Sequence, residues 1–336
     1  MDNEVLLTIA IPTYNRKEFL INNVTHLLPQ LNEKVKLLII DNHSDEIMQD
    51  VLYETIPDIK KINIEFIRNR INIGGDANIV RCFEYCTSPY LWILGDDDIP
   101  ILDAVNKIFN HIILYPEVMF FNFSSEIYFR NKSFRSKGLT GFVDGIDDYS
   151  NLLFISCNVY KVPEVIINLR FAYHYIYSCA SQIVIILQSL DERSETYFSA
   201  EQIVNWGKPS PDRQWSHVLQ SLGYYSIIEL PSIVKHGLSK KLALKMKMYS
   251  PSVKQMFRLI ATLSDGPSYN TLTSIYLFDQ IMFRRFYFHP FYIRILRYPF
   301  RFLLLFPFAI LYFYRYVTYF FTRREYRCIK DVYLDD

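Results

Sequence analysis

Leu91-Trp92-Ile93-Leu94-Gly95-Asp96-Asp97-Asp98 joins an unbroken apolar run to three consecutive carboxylates. A short run with no polar alternation reads as a strand covered on both faces, and the glycine and acids that follow end it in a loop. Charged carboxylates repel one another at about 4 kcal/mol per pair at 4 Å with an effective dielectric near 20. A chain carries that repulsion where a divalent cation or several hydrogen bonds offset it. Mn²⁺ or Mg²⁺ takes carboxylate oxygens and shares its remaining positions with phosphates. The plainer alternative is an acidic helix start, with Asp98 capping a helix that begins near Pro100.

Working outward from the triplet, apolar runs alternate with segments of helical period. Val5–Ile11 reads as a first strand, and Asn15 as the cap of a helix presenting Phe19, Val24, Leu27, Leu28 and Leu31. Val35–Ile40 is a second strand ending at Asp41, a helix covers roughly 46–56, and Ile64–Ile67 is a third strand. Gly74-Gly75 opens the helix of Ile79, Val80 and Phe83, Leu91–Leu94 follows, and after a helix carrying Ala104, Val105, Ile108 and Ile112 comes strand Val118–Phe123. This order predicts an α/β fold with a mostly parallel sheet covered by helices. Such sheets bind ligands at the carboxyl ends of their strands. There the loops hold Thr13-Tyr14-Asn15-Arg16, Asp41-Asn42, Asn69–Asn78 and Asp96–Asp98, so polar residues converge on one rim.

Past residue 124 the pattern weakens. Leu153–Tyr160 reads as a strand, Ile176–Leu190 as a long buried helix, Gly207–Trp215 as a loop, and the chain from about Lys240 as helical. Five cysteines, an odd number with no C-x-x-C pair, read as reduced core thiols. The N-terminus lacks a basic region and a small-residue cleavage site, and with the thiols this predicts a cytoplasmic body. The net charge of +1 hides an asymmetry: ten Lys/Arg against the single acid Glu325 lie between Arg284 and Lys330, in a chain holding 26 Tyr and 26 Phe.

Two further loops bear on function. In Asn69-Arg70-Ile71-Asn72-Ile73-Gly74-Gly75-Asp76-Ala77-Asn78, paired glycines at a helix start let the backbone approach a ligand, and a helix N-terminus favours phosphate. The spacing is neither a dinucleotide fingerprint nor a P-loop, and alone it signals a turn. Asp41 is either a turn residue or an acceptor for a base N–H. Tyr14 either stacks on that base or packs under its loop.

Taken together, Ile9-Ala10-Ile11-Pro12-Thr13-Tyr14-Asn15-Arg16, Ile39-Ile40-Asp41-Asn42, Asn72-Ile73-Gly74 with Asn78, and Leu94-Gly95-Asp96-Asp97-Asp98 resemble the ordered signature of family 2 glycosyltransferases. The resemblance covers roughly residues 4–125. It extends, more weakly, to bacterial O-antigen and capsule transferases of the abequosyltransferase-like group. It implies the GT-A fold and transfer of a sugar from a nucleotide donor. Pro12, Thr13 and Tyr14 would surround the base, with Arg16 and Gly75 also in the donor site, and Asp41 would read the base. Asn72 and Asn78 would lie along the nucleotide, Asp96 by the ribose or donor sugar, and Asp97 would bind Mn²⁺ or Mg²⁺ with Asp98 alongside.

The chain departs from the family where the acceptor is deprotonated. Inverting members place an acidic base at a helix start, which here falls near Tyr173–Gln182, a stretch with no carboxylate. His174 is one candidate, since a neutral imidazole accepts a hydroxyl proton. Asp191 is the other, although its Asp-Glu-Arg-Ser-Glu run also reads as a solvated turn.

Phe302–Phe321 is apolar apart from Arg315, Thr318 and tyrosine hydroxyls, contains Pro307, and is flanked by Arg297, Arg301, Arg323, Arg324 and Arg327. Its length of about 20 residues would just span a bilayer, but the internal Arg and Pro favour a kinked helix lying at a membrane surface. A buried helical hairpin or a dimer interface is the alternative. The expected organisation is a GT-A domain over 1–235, with a nucleotide part at 1–125 and an acceptor part at 126–235, then a helical, membrane-associating region over 236–336. The expected partners are a nucleotide sugar, a lipid-linked oligosaccharide acceptor and the cytoplasmic membrane face, without nucleic acid. The rivals are an inactive membrane scaffold and, further off, a sugar nucleotidyltransferase.

Overall fold

The computed structural model describes residues 4–207 and 223–246. The chain divides into two compact units, and the one formed by Met1–Arg213 with Leu230–Lys241 holds all the elements below. In the second unit, Ile227–Glu229 forms a single helical turn, preceded by a hydrogen bond from Ser226 Oγ to the Gly223 carbonyl.

The centre is an eight-stranded sheet. In chain order the strands are β1 (Leu7–Thr13), β2 (Val35–Asp41), β3 (Ile64–Arg68), β4 (Tyr90–Ile93), the two-residue β5 (Ile99–Pro100), β6 (Val118–Ser124), β7 (Phe134–Lys137), β8 (Asn158–Lys161), β9 (Glu195–Gln202) and the two-residue β10 (Val204–Asn205). Their order across the sheet is β3-β2-β1-β4-β8-β6-β9-β7, while β5 and β10 pair separately. From β3 to β4 every pairing is parallel. β8 enters antiparallel between β4 and β6, and β9 is again parallel to β6. The mostly parallel, helix-covered sheet is therefore present, with β8 and the edge strand β7 as its antiparallel members.

Burial explains the strands' composition. Leu7, Ile9, Ala10 and Ile11 of β1 and Leu37–Ile40 of β2 are fully buried on both faces. That is why these strands read as continuous apolar runs instead of alternating ones. Helix α1 (Lys17–Leu27) buries Leu20, Val24 and Leu27, one helical face, into the same core. Each such side chain stabilises the fold by roughly 1.5–3 kcal/mol. The helices α2 (Met48–Thr55), α3 (Gly75–Tyr85) and α4 (Ala104–Leu114) make the crossovers. Beyond them lie α5 (Gly138–Gly145), α6 (Tyr149–Leu153), α7 (Val162–Val165), α8 (Leu169–His174) and α9 (Ser181–Ser189).

Several local expectations are corrected. Asn15 does not cap α1; it takes a left-handed backbone (φ 52°), its amide donates to Ser44 Oγ, and its Oδ1 accepts from the Asp45 amide. It ties the loop after β1 to the loop after β2. Pro100 lies in extended β5 instead of a helix start, and α4 opens at Ala104, where Gln30 Oε1 accepts from the Val105 amide. The expected helix over 176–190 is broken at Cys179, whose left-handed backbone (φ 52°) separates a helical turn at Ile176–Ser178 from α9. Leu153–Tyr160 is strand only from Asn158, after a turn at Ile155–Cys157. Cys82, Cys86, Cys157 and Cys179 are free thiols.

No helix among the described residues is long and apolar enough to cross a membrane. The Phe302–Phe321 segment and its flanking arginines lie outside the described residues. In the segment expected to be helical from about Lys240, Lys241 pairs with Asp144.

Candidate functional site

The carboxyl ends of β1, β2, β3 and β4 and the start of β8 share one edge of the sheet, and the polar loops meet there. At the end of β1, Thr13 Oγ1 donates to Asp96 Oδ2 at 2.8 Å. Arg16 Nη1, at the start of α1, lies 2.9 Å from Asp96 Oδ1 and 3.1 Å from Asp97 Oδ2. Two carboxylates thus converge on one cationic nitrogen. Tyr14 is exposed in the same loop and Pro12 half-buried.

The triplet divides by environment. Asp96 is almost fully buried, and desolvation, with repulsion from Asp97, pushes its carboxyl up to about 6 against the opposing pull of Arg16 and Thr13. Burial opposes the charge on Arg16, but the two carboxylates outweigh it and hold the guanidinium above its ordinary pKa. Asp98 points into the protein. Its Oδ2 accepts from Ser156 Oγ at 2.5 Å and its Oδ1 from the Gly207 amide at 3.1 Å. Burial raises it to about 7 even so. With both oxygens engaged, Asp98 caps no helix, and it does not stand beside Asp97 as an open ligand.

Three residues with no signal in the sequence hold this turn. Asn23 on α1 donates through Nδ2 to the carbonyls of Gly95 (2.8 Å) and Asp98 (2.6 Å). Ser156, ahead of β8, accepts from the Gly95 amide at 2.8 Å while donating to Asp98. Gly207 lies so close that a Cβ built on it would fall 1.5 Å from the Asp97 carbonyl oxygen. Asn, Ser and Gly are ordinary loop and helix residues, and only their long-range contacts mark them.

Around the ends of β2 and β3 the loops are laced by amides. Asn42 accepts through Oδ1 from Asn69 Nδ2 (2.8 Å) and the Ile73 amide (3.0 Å), and donates to Asn72 Oδ1 (2.7 Å). Asn72 Oδ1 also accepts from the Gly74 amide at 2.9 Å, holding Gly74 in a left-handed conformation (φ 86°) that favours glycine. A Cβ on Gly74 or Gly75 would meet open space, so room for a ligand lies before the first turn of α3. Two expected contact residues are turned inward. Asn78 is buried, donating to the Ile40 carbonyl at 3.0 Å and accepting from Asn69 at 2.9 Å. Asp41 accepts from the Ser44 amide at 2.8 Å and pairs with Arg68, which also donates to the Ser44 carbonyl at 2.6 Å. Both of its oxygens are engaged.

Of the two proposed bases, Asp191 stands apart from the triplet. β9 runs in the same direction as β4, so Asp191, just ahead of β9, lies at the opposite edge of the sheet. There it is exposed in a turn, its Oδ1 accepting from Ser194 Oγ and from the Arg193 and Ser194 amides. Asp191 is corrected from candidate base to turn residue. His174 ends α8, exposed and edge-on to Phe171.

Residues 8–155 match the model of Glycosyl transferase family 2. Abequosyltransferase RfbV of Salmonella typhimurium (strain LT2) is 30% identical over 108 residues, which are 30% of this chain and 31% of RfbV. The match thus spans about a third of the length of that curated relative. Among solved structures, S. aureus TarS 1-349 superposes over 83% of this chain and 84% of its own, with TM-score 0.53 and 9% identity. Its complex with UDP-GlcNAc covers the same shares at TM-score 0.55 and 10% identity. Likeness at that identity concerns the fold. The sheet is of the GT-A type, and residues 8–155 carry the similarity to the family 2 glycosyltransferase model.

Proposed function

We propose that the chain is a glycosyltransferase that binds a nucleotide sugar across the rim and passes the sugar to an acceptor hydroxyl. The observation that carries this is the convergence of Asp96 and Asp97 on a single cationic nitrogen beside the polar loops of β1, β2 and β3. Arg16 Nη1 marks a point where positive charge is stabilised by both carboxylates, and these residues fit a hard divalent cation. Such a cation, Mn²⁺ or Mg²⁺ held by Asp97 with Asp96 beside it, would stabilise the negative charge that the departing diphosphate develops. Asp98 acts from behind, fixing the backbone turn that presents Asp97. Pro12, Thr13 and Tyr14 form one wall of the donor site, and Asn72 with Gly75 the other.

Asp41 and Asn78 support this site by building it: Asp41 pins the β2 loop through Ser44, and Asn78 fastens α3 to β2. The acceptor in this reading is a lipid-linked oligosaccharide in surface-polysaccharide synthesis, met at the cytoplasmic membrane face. Its support is the basic, aromatic sequence between Arg284 and Lys330 and the likeness to RfbV, which is an abequosyltransferase.

The test is to incubate the purified full-length chain with Mn²⁺ and a panel of sugar nucleotides, with and without a polyprenyl-diphosphate-linked oligosaccharide. Release of nucleoside diphosphate, stimulated by the acceptor and abolished by a chelator, is the expected result. Pyrophosphate release would mean nucleotidyl transfer instead, and silence across the panel would mean a scaffold.

A further inference from the structure

Trp206 is 49% exposed, and its place beside the acidic turn is fixed from both sides. The chain leaves β9 at the edge where β4 ends and crosses back to the triplet. There β10 (Val204–Asn205) pairs antiparallel with β5 (Ile99–Pro100), which directly follows Asp98. The Ile101 amide donates to the Ile203 carbonyl at 3.1 Å. Gln202 Nε2 donates to the Val204 carbonyl at 2.9 Å and to Asn205 Oδ1 at 2.8 Å. On the far side of Trp206, the Gly207 amide donates to Asp98 Oδ1 at 3.1 Å, and its α-carbon lies against the Asp97 carbonyl. Trp206 is thus held between two segments bonded to the triplet turn, about 3.8 Å along the backbone from the residue that touches Asp97.

A half-exposed indole on so rigid a seat is a ready binding surface. Ile203 and Val204, just before it, are fully buried, as is Trp92, whose Nε1 donates to the Ser156 carbonyl. The side from which Trp206 approaches also matters. In the order β3-β2-β1-β4-β8-β6-β9-β7, the donor loops follow the strands on one side of β4, and the chain to Trp206 comes from the other. A pyranose ring carries hydroxyls around its edge and C–H groups on its faces. One such face can cover an indole and shed water from both, leaving the edge hydroxyls free. The indole N–H adds a donor for one of them.

We propose that Trp206 is the acceptor platform, its indole stacking on the face of the pyranose ring that carries the attacking hydroxyl. The proposal rests on the glycosyl-transfer reading above. The indole exchanges no proton and holds no charge; it fixes where the acceptor ring lies relative to Asp97. Gly207 makes that placement rigid, since the contact that fixes it is between backbones. Stacking of this kind persists from the bound acceptor into the transition state, so its loss raises KM for the acceptor more than it lowers kcat.

The experiment compares the full chain with Trp206→Ala and Trp206→Phe. It uses whichever sugar nucleotide of the panel turns over, with the polyprenyl-diphosphate-linked oligosaccharide as acceptor. Trp206→Ala should raise the acceptor KM about tenfold, or about 1.4 kcal/mol, while the donor KM stays within about twofold. Trp206→Phe, which keeps an aromatic face, should recover most of that loss. Both variants should melt with the parent, since the side chain is exposed. Tryptophan emission gives a readout free of turnover. Adding the oligosaccharide without donor should shift the parent's emission to the blue as the indole loses water, and Trp206→Phe should lack that shift. If Trp206→Ala keeps the acceptor KM, or raises the donor KM in step with it, the platform is wrong while glycosyl transfer stands. If the unaltered chain turns over no donor, the transfer reading fails and the platform falls with it.

Discussion

Ser156 Oγ donates a 2.5 Å hydrogen bond to Asp98 Oδ2, so the last carboxylate of the triplet is a structural acceptor turned into the protein. The same hydroxyl accepts from the Gly95 amide, and one side chain thus fixes both ends of the acidic turn. Ser156→Ala leaves a buried carboxylate and a buried amide short of partners, at a cost of roughly 1–3 kcal/mol for each group. Denaturant unfolding should show that loss, with Mn²⁺ affinity falling as the turn loosens.

The division within the triplet predicts unequal mutants. Asp97→Ala should abolish cation-dependent transfer while leaving the circular dichroism spectrum and melting curve unchanged. Asp98→Asn keeps an oxygen to accept from Ser156 or Gly207 and should retain Mn²⁺ binding within about tenfold, or about 1.4 kcal/mol. Titration calorimetry with Mn²⁺ and a nucleoside diphosphate separates the two; equal loss in both would return Asp98 to the ligand set.

Gly207 has no room to change. A methyl group there would overlap the Asp97 carbonyl oxygen at 1.5 Å, and that contact is with backbone, which cannot swing aside as a side chain does. Gly207→Ala should displace Asp97 or expel the 207 segment, costing about 1–3 kcal/mol of stability and most of the transfer activity. A substitution at Gly75, which faces open space, should leave the melting temperature within about 2 °C, an effect well under 1 kcal/mol.

Arg16 neutralises two carboxylates that otherwise repel. Arg16→Ala should therefore destabilise the protein in chelator by about 1–3 kcal/mol. Saturating Mn²⁺ supplies the missing charge and should narrow the gap between variant and parent. Melting curves with chelator and with Mn²⁺ check this; a gap unchanged by the cation would separate Arg16 from the cation's position.

The raised pKa of Asp76 makes a stability prediction independent of turnover. Its folded-state value, about 6, lies above the ordinary 3.8, so the folded protein binds the proton more tightly than the unfolded chain. The resulting stabilisation is complete below the unfolded value and is lost as pH rises through about 6. Asp76→Asn, which does not titrate, should thus gain stability relative to the parent between pH 4 and pH 7.5. Urea unfolding at the two ends of that range measures it.

The parallel half of the fold was legible because burial on two faces demands apolar residues without interruption. The runs around Ile9, Leu38 and Trp92 could be little else, and loops at their carboxyl ends must share an edge. Asp96, Asp97, Thr13 and Arg16 come together on one rim for that reason. The region after residue 124 was less legible, since β8 enters antiparallel behind a helical turn and Cys179 interrupts an apolar run that reads as one helix.

By itself, then, the sequence determined which edge of the sheet is polar and which carboxylates end β4, since strand order along the chain and the pattern of apolar residues suffice for both. Only the tertiary structure decided how those carboxylates are used. Asp98 and Asn78 turn inward because Ser156, Gly207, Asn69 and the Ile40 carbonyl, distant in sequence, stand where their hydrogen bonds end. α3 and α9, about a hundred residues apart in sequence, pack together in the fold. Hydrogen-bond partners and desolvation are properties of neighbours in space, and no local pattern of residue types encodes them.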